Sequence, residues 1–139
     1  MSFYQKEITV KAPCRGFYVI TNLILEELSR MSTIDRGILH LFIKHTSASI
    51  AINENTDPTV LSDMESHFNK TVPENASYYK HTFEGADDMP AHIKSTTIGS
   101  SVTIPITDGK LNLGAWQGIY LCEHRNKPHK RKIIATINY

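Results

Sequence analysis

A hairpin signal in the second half of the chain is the strongest constraint on the fold. The segment from Ser101 to Thr107 is rich in β-branched residues, and Asp108-Gly109 separates it from a second strand-like segment at Lys110–Leu113. Asp-Gly favours the tight turn that joins two antiparallel strands, because these residues tolerate positive φ angles. Pro105 cannot donate to a strand ladder, so we expect this strand to lie at an edge or to bulge there. The sequence therefore predicts a β-hairpin.

The segment that follows the hairpin is predicted to be a further strand, from Ala115 to His124. A period of two places Tyr120, Cys122 and His124 on one face and Glu123 on the other. Glu123 and His124 are neighbours in sequence, but their side chains are expected to point in opposite directions. We therefore do not expect them to form one site within a single subunit.

The first half of the chain contains five predicted elements. Alternation of polar and apolar residues predicts strands at 3–11 and 45–55, and the mostly apolar run at 38–43 predicts a buried strand. Helical spacing predicts helices at about 21–32 and 57–69. Together with the hairpin, these elements indicate a chain in which strands outnumber helices.

The strand at 45–55 has an unusual polar face made of short side chains. A period of two gives this face His45, Ser47, Ser49, Ala51, Asn53 and Asn55. Small side chains leave room above a strand, so this face is a candidate floor for a polar cleft. Small residues also permit close packing against another subunit, and the two interpretations are compatible.

Length and composition limit the class of protein. A chain of 139 residues is predicted to form one domain, residues 1–139. A net charge of +1 argues against a dedicated nucleic-acid-binding protein. No apolar run has the length of a signal peptide or a membrane span, so a cytoplasmic location without membrane association is expected. Cys14 and Cys122 are too few for a disulfide framework and are read as free thiols.

Three histidines and two adjacent carboxylates are the candidate functional residues. His92 follows Pro90, a residue favoured at the start of a helix, and His81 lies in the segment before it. Zinc is commonly held by three imidazoles with one coordination position left open. We therefore predict that His81, His92 and His124 converge on a divalent ion, with zinc as the expected metal and with His124 coming from the same or a neighbouring subunit.

Asp87 and Asp88 precede the predicted helix and have two interpretations. Aspartate is favoured as a helix cap, which explains one of the two. A second adjacent carboxylate near histidines instead resembles a metal or acid–base site. Both interpretations stay open at this level.

A basic run, RNKPHKRK, occupies residues 125–132 directly after His124. Such a run is either a solvated hairpin tip or an anchor for phosphate, because arginine binds phosphate oxygens with two parallel hydrogen bonds. Arg125 and Arg131 are the candidate anchors.

Three segments together carry a family resemblance: HTSASIAINENTDP, YYKHTFEGADDMPAHIK and SSVTIPITDGKLNLGAWQGIYLCEHR. In these segments the chain resembles the YjbQ family, described as secondary thiamine-phosphate synthases, and the likeness covers almost the whole chain. The family signature, a serine strand, a glycine turn and then Leu-Gly-Thr-Trp-Gln, is matched from Ser101 to Ile119 with one departure. Ala115 replaces the usual threonine and removes a hydroxyl beside Trp116.

The resemblance implies an α+β fold, a compact β-sandwich of mainly antiparallel strands with two or three helices packed on it. It also implies a homotrimer with polar sites near subunit contacts, and a small phosphorylated substrate. The implied activity is a weak ability to join hydroxymethylpyrimidine diphosphate to thiazole phosphate, which gives thiamine phosphate and pyrophosphate.

The expected site combines the resemblance with the patterns above. His45 and Asp88 are expected to be catalytic, and His81, His92 and His124 to bind the metal. The expected substrate contacts are Asn53, Trp116, Gln117, Arg125 and Arg131. Three hypotheses follow: a metal-assisted enzyme, a metal- or ligand-binding trimeric module without dedicated catalysis, and a structural trimer whose histidines are interface residues.

Overall fold

The computed structural model describes all 139 residues, Met1 to Tyr139, as eight β-strands, three α-helices and one short 3₁₀ helix. The strands are β1 Phe3–Ala12, β2 Gly16–Val19, β3 Arg36–Ile43, β4 Ala48–Glu54, β5 Ser101–Thr107, β6 Lys110–Leu111, β7 Gln117–Glu123 and β8 His129–Asn138. The helices are α1 Thr21–Glu27, α2 Pro58–Thr71 and α3 Asp88–Ile98, and the 3₁₀ helix is Ser29–Thr33. None of these helices combines the length and the apolar character needed to span a bilayer.

Two antiparallel sheets pack face to face. The larger sheet has the order β1-β8-β3-β5-β6, and the smaller has the order β2-β7-β4. Their inner faces share one apolar core, in which Leu39 and Leu41 of β3 are buried together with Ile119 and Leu121 of β7. The expected α+β sandwich of mainly antiparallel strands is confirmed.

Helices α2 and α3 cover the other face of the smaller sheet. Phe17, Tyr120 and Cys122 are buried there against α2 residues such as Met64 and Phe68. Strand β7 is therefore buried on both faces, and the assignment of its side chains from the period of two is confirmed. Burial raises the pKa of the Cys122 thiol to about 12, so this cysteine is a packing residue and not a nucleophile.

The small side chains of β4 allow α3 to approach closely. Ser49 is fully buried, and the Ser95 hydroxyl on α3 donates to the Ala48 carbonyl at 2.8 Å. The face that was expected to floor an open cleft is thus largely covered by a helix of the same subunit. His45 at the start of this face borders an open cavity, and Asn53 and Asn55 at its other end are exposed.

The boundaries differ from the prediction in the first half of the chain. Strand β2 was not predicted, because four residues are too few to show a period. The helix expected at 21–32 ends at Glu27, and a 3₁₀ helix continues from Ser29 to Thr33. Leu28 separates the two with φ −116° and ψ 49°, yet it remains buried in the core.

The hairpin between β5 and β6 is confirmed. Asp108 and Gly109 both have positive φ, 52° and 74°, as a type I′ turn requires. A Cβ atom added to Gly109 would lie 2.7 Å from the Ser32 carbonyl oxygen. Gly109 is therefore required both by its backbone conformation and by this close approach.

We expect Gly109→Ala to lower the free energy of unfolding by about 1–3 kcal/mol, because alanine adds backbone strain and a contact with Ser32. Asp108→Asn is the matched control, since asparagine tolerates positive φ, and it should change stability little. Urea denaturation of the three proteins measures the effect. An unchanged midpoint for Gly109→Ala would show that this turn does not have the described geometry.

Candidate metal centre

Two histidines converge on one carboxylate oxygen. Asp88 Oδ2 lies 2.7 Å from His81 Nε2 and 3.1 Å from His92 Nε2. Asp88 and His92 are one turn apart on α3, and His81 lies in the loop before that helix. The three ligand atoms lie within 4.8 Å of one another, which is the spacing of a group able to hold one metal ion.

Arg125 forms hydrogen bonds with both of the adjacent aspartates. Its guanidinium donates from Nη1 to Asp88 Oδ1 at 2.8 Å and from Nε to Asp87 Oδ2 at 2.9 Å. Asp87 also accepts from the backbone N–H of Asn126. Neither aspartate makes a side-chain cap of α3, whose first residue is Asp88. Burial opposes ionisation of Asp87, but the bonds from Asn126 and Arg125 lower its pKa.

The hydrogen bonds of His92 show why a cation fits here. His92 Nδ1 lies 3.0 Å from the Thr46 carbonyl oxygen, which can only accept, so Nδ1 must carry a proton. In a neutral ring, Nε2 then presents a lone pair to Asp88 Oδ2 at 3.1 Å. Two acceptors at this distance repel each other unless a proton or a metal ion lies between them.

The centre is open on one side. The Asp88 side chain is 2% exposed, whereas those of His81 and His92 are 46% and 30% exposed. A cavity of about 530 Å³ borders His92, and no apolar side chain lines it. A ligand in this cavity would have access to an ion if the two histidines held one.

His45 borders the same cavity but is not a free base. Its Nε2 accepts the backbone N–H of Lys132 at 2.8 Å. Burial, with a contribution from the charge of Arg131, lowers the pKa of His45. The ring is therefore neutral at pH 7 and carries its proton on Nδ1, so the structure equips this expected catalytic residue to donate a hydrogen bond.

His124 lies apart from the two other predicted ligands. Its Nε2 is 2.7 Å from the Ser49 hydroxyl in the packed layer between the smaller sheet and the helices, where His124 is 1% exposed. Burial, helped by the charges of Lys94 and Arg131, lowers the pKa of His124 to about 3. Within one subunit, the predicted set of three histidines is replaced by two histidines and Asp88.

The two arginines expected to bind phosphate are engaged elsewhere. Arg131 is buried, and its guanidinium donates to both carboxylate oxygens of Glu123 and to the Ser47 carbonyl. Arg125 donates to Asp87, Asp88 and the Glu84 carbonyl. Neither guanidinium is free to bind a phosphate group unless these bonds break.

The remaining expected substrate contacts lie at the other end of the smaller sheet. Asn53 is opposite Gly118, whereas Ala48 at the start of β4 is opposite Glu123. At about 3.3 Å per residue, the two ends of β4 are roughly 20 Å apart. Trp116 is 65% exposed, and Gln117 is occupied in accepting the backbone N–H of Gly114. One subunit therefore does not bring these residues to the histidines.

Sequence reasoning missed two parts of the centre. Asp88 was placed at a metal or acid–base site and assigned to catalysis, and the signal that groups it with His92 as a ligand, a spacing of four residues on one helix face, was not used. The Thr46 carbonyl, which fixes the tautomer of His92, carries no signal because any residue provides a carbonyl.

The chain is similar in sequence and in structure to proteins of one family. Residues 6–139 match the family model described as UPF0047 protein YjbQ-like. The UPF0047 protein YjbQ of Salmonella typhimurium is 54% identical over 135 residues, which are 97% of each chain. A solved structure from Clostridium acetobutylicum, described as an uncharacterized conserved protein of the YjbQ/UPF0047 family, is 40% identical. It has a TM-score of 0.85 and covers 96% of this chain and 99% of its own.

A solved structure with lower sequence identity has the same fold. The YbjQ-like protein of unknown function from Sulfolobus solfataricus is 26% identical, with a TM-score of 0.86 over 98% of this chain and 96% of its own.

The buried His124 predicts a pH dependence of stability. Its pKa is about 3 in the folded protein and 6.5 in an unfolded chain. As the pH falls below 6.5, the unfolded state takes up a proton that the folded state does not. This group therefore removes about 1.4 kcal/mol of stability per pH unit, or about 2 kcal/mol by pH 5, and has no effect above pH 6.5.

We expect the stability advantage of the wild type over His124→Gln to shrink by that amount between pH 7.5 and pH 5. Urea denaturation with a chelator, at one protein concentration, measures it. His67→Gln, at an exposed position on α2, is the control and should leave the difference from wild type constant. A constant difference for His124→Gln as well would contradict the buried, neutral state of His124.

Proposed function

This chain belongs to the YjbQ-like UPF0047 family, and we propose that it is a metal-assisted enzyme whose divalent ion is held by His81, Asp88 and His92. The observation that carries the proposal is the arrangement of His92. Its Nδ1–H is committed to the Thr46 carbonyl while its Nε2 faces Asp88 Oδ2. A cation between Nε2 and the carboxylate turns this repulsion into two coordination bonds.

The surroundings support a metal ion rather than an extra proton. Histidine ligands of metals usually donate their second N–H to a carbonyl or carboxylate, and ligating carboxylates are themselves hydrogen-bonded. His92 has the Thr46 carbonyl, and the second oxygen of Asp88 has Arg125. Two imidazoles and one carboxylate are a known ligand set of catalytic zinc, with a position open for water or substrate. Zinc is therefore the proposed ion.

The chemistry that fits this centre is stabilisation of a phosphate-type leaving group. A divalent ion neutralises charge on phosphate oxygens. In thiamine-phosphate synthesis, the carbon–oxygen bond to the diphosphate breaks and the diphosphate keeps the electron pair. The lone pair of the thiazole nitrogen then forms the new carbon–nitrogen bond. This step needs no proton transfer, so His45, whose Nε2 is occupied, is not required as a base.

A second candidate is a metal- or ligand-binding module without dedicated catalysis. The observation that favours it is the engagement of Arg125 and Arg131 in internal ion pairs, since neither of the two arginines expected to bind phosphate is left to bind a diphosphate. The metal-assisted enzyme is expected to turn over substrate and the binding module is not, whereas both can bind a metal ion.

We also propose a homotrimer, supported by the outer face of the larger sheet. Ile38 and Phe42 are 47% and 44% exposed there, and Phe42 lies opposite Ile134 of β8. Adjacent exposed apolar side chains on a sheet face indicate an interaction surface. Association of subunits is also the way in which Trp116 of one copy can approach the centre of another.

Light scattering at micromolar concentration should give three times the monomer mass of 15.7 kDa. Phe42→Glu places a charge on the exposed sheet face and should lower the measured mass. A monomer mass for the wild type would contradict the trimer, and an unchanged mass for Phe42→Glu would exclude this face as the contact.

For the metal, we expect protein purified without a histidine tag to contain zinc, and added zinc to raise the melting temperature of metal-stripped protein. A free zinc concentration of 100 times Kd adds about 2.7 kcal/mol to the free energy of unfolding. His92→Ala should abolish the shift, and His67→Ala, on an exposed surface, should retain it. Absence of zinc together with no thermal shift would contradict the metal centre.

The same variants test catalysis, assayed in a host that lacks its own thiamine-phosphate synthase. His92→Ala should lose more than about tenfold in rate, equivalent to roughly 1.4 kcal/mol of barrier, with the assembly intact. Lys127→Ala, in the exposed loop that connects β7 in the smaller sheet to β8 in the larger sheet, should be nearly unchanged. Equal rates for wild type and His92→Ala would support the binding module instead.

A further inference from the structure

Two adjoining cavities form a groove that leads away from the candidate metal centre; polar residues line its near part, and Phe42 and Ile43 contribute apolar side chains at its far end. One cavity, of about 530 Å³, borders His92, and a second, of about 510 Å³, borders Lys44 and Phe42. Both cavities are lined by His45, Thr46 and Ser100. The groove, called here the His45 groove, therefore runs from a proposed metal ligand past His45 to a lysine.

The backbone fixes the orientation of His45 in this groove. The Lys132 N–H donates to His45 Nε2 at 2.8 Å, and the Lys132 carbonyl accepts the Lys44 N–H at 3.0 Å. Because Nε2 is the acceptor, a neutral His45 has its proton on Nδ1. No protein acceptor takes that proton in the structure. His45 thus offers a ready hydrogen-bond donor to a ligand in the groove.

The charges at the groove favour an anion. No carboxylate lines either cavity. At the far end, Lys44 and Lys132 share the single carboxylate of Glu7, with Nζ–Oε1 distances of 3.9 and 3.5 Å. The long distance and half-exposed side chain leave Lys44 able to turn to a ligand. Hydroxyl groups of Thr46, Thr96 and Ser100 add neutral donors along the wall.

We propose that the His45 groove binds the phosphate group of the substrate, with His45 Nδ1–H donating to a phosphate oxygen and Lys44 supplying the positive charge at the far end. The metal at His92 binds another oxygen of the same ligand, and this part rests on the proposed function. The phosphate anchor is thus a neutral histidine with a lysine, in place of the two arginines of the basic run.

Two substitutions distinguish the roles of the two nitrogen atoms of His45. The carboxamide introduced by His45→Gln can reach the position of Nε2 and accept from Lys132, but this change removes the donor at Nδ1. His45→Asn does the reverse, because its shorter amide offers an N–H near the position of Nδ1. A merely structural role for His45 would make His45→Asn the more damaging change to ligand binding.

The test is isothermal titration of inorganic phosphate into the zinc-loaded protein. We expect His45→Gln to weaken binding about tenfold, the effect of one hydrogen bond to a charged group. His45→Asn should bind within about threefold of wild type, Lys44→Gln should bind more weakly, and His67→Gln should be unchanged. Thermal midpoints of each variant establish that it is folded.

The outcomes distinguish this proposal from the metal centre. If wild type binds zinc but no phosphate, or if His45→Gln binds phosphate as wild type does, the groove proposal is overturned and the metal centre stands. If no zinc binds, the titration is repeated on the metal-free protein, where loss of binding in His45→Gln supports the groove alone. Nitrogen-15 NMR that finds the proton of His45 on Nε2 also overturns it.

Discussion

The packing of α3 against the first residues of β4 is the interaction on which the candidate site depends. Two side chains of α3 reach backbone carbonyls at or just before the start of β4: Ser95 reaches Ala48, the first residue of the strand, and His92 reaches Thr46, which precedes it. These bonds form because β4 carries small residues here, which let the helix lie close to the sheet. A large side chain at position 49 would push α3 away from β4. The tautomer of His92 and the position of Asp88 would then no longer be fixed.

Asp88 depends on this contact and on a second one. Its side chain is almost fully buried, and a buried carboxylate is costly unless it is paired and hydrogen-bonded. Arg125, two residues after β7, supplies the pairing and also binds Asp87. The carboxylate thus joins α3, the loop that carries His81 and the end of β7. A divalent ion would complete the set, since it would give both histidine Nε2 atoms a favourable partner.

Local patterns in the sequence predicted much of the fold. The hairpin at Asp108-Gly109 and the two faces of β7 follow from turn chemistry and a period of two, and both are confirmed. The nearness of His81 and His92 was also predictable, because few residues separate them. The positions of His124 and Arg131 were not, since both depend on contacts between residues distant in sequence. His124 is buried by helices that pack on β7, and Arg131 lies next to Glu123 only because β7 and β8 come together in the folded sandwich.

The central claim is that His81, Asp88 and His92 of one subunit hold a divalent ion. The direct measurement is an anomalous difference map, collected on both sides of the zinc absorption edge from crystals grown with zinc. The account predicts one peak at about 2.0–2.2 Å from His81 Nε2, His92 Nε2 and Asp88 Oδ2. A map without a peak at this position, or with zinc bound at His124 instead, would contradict it.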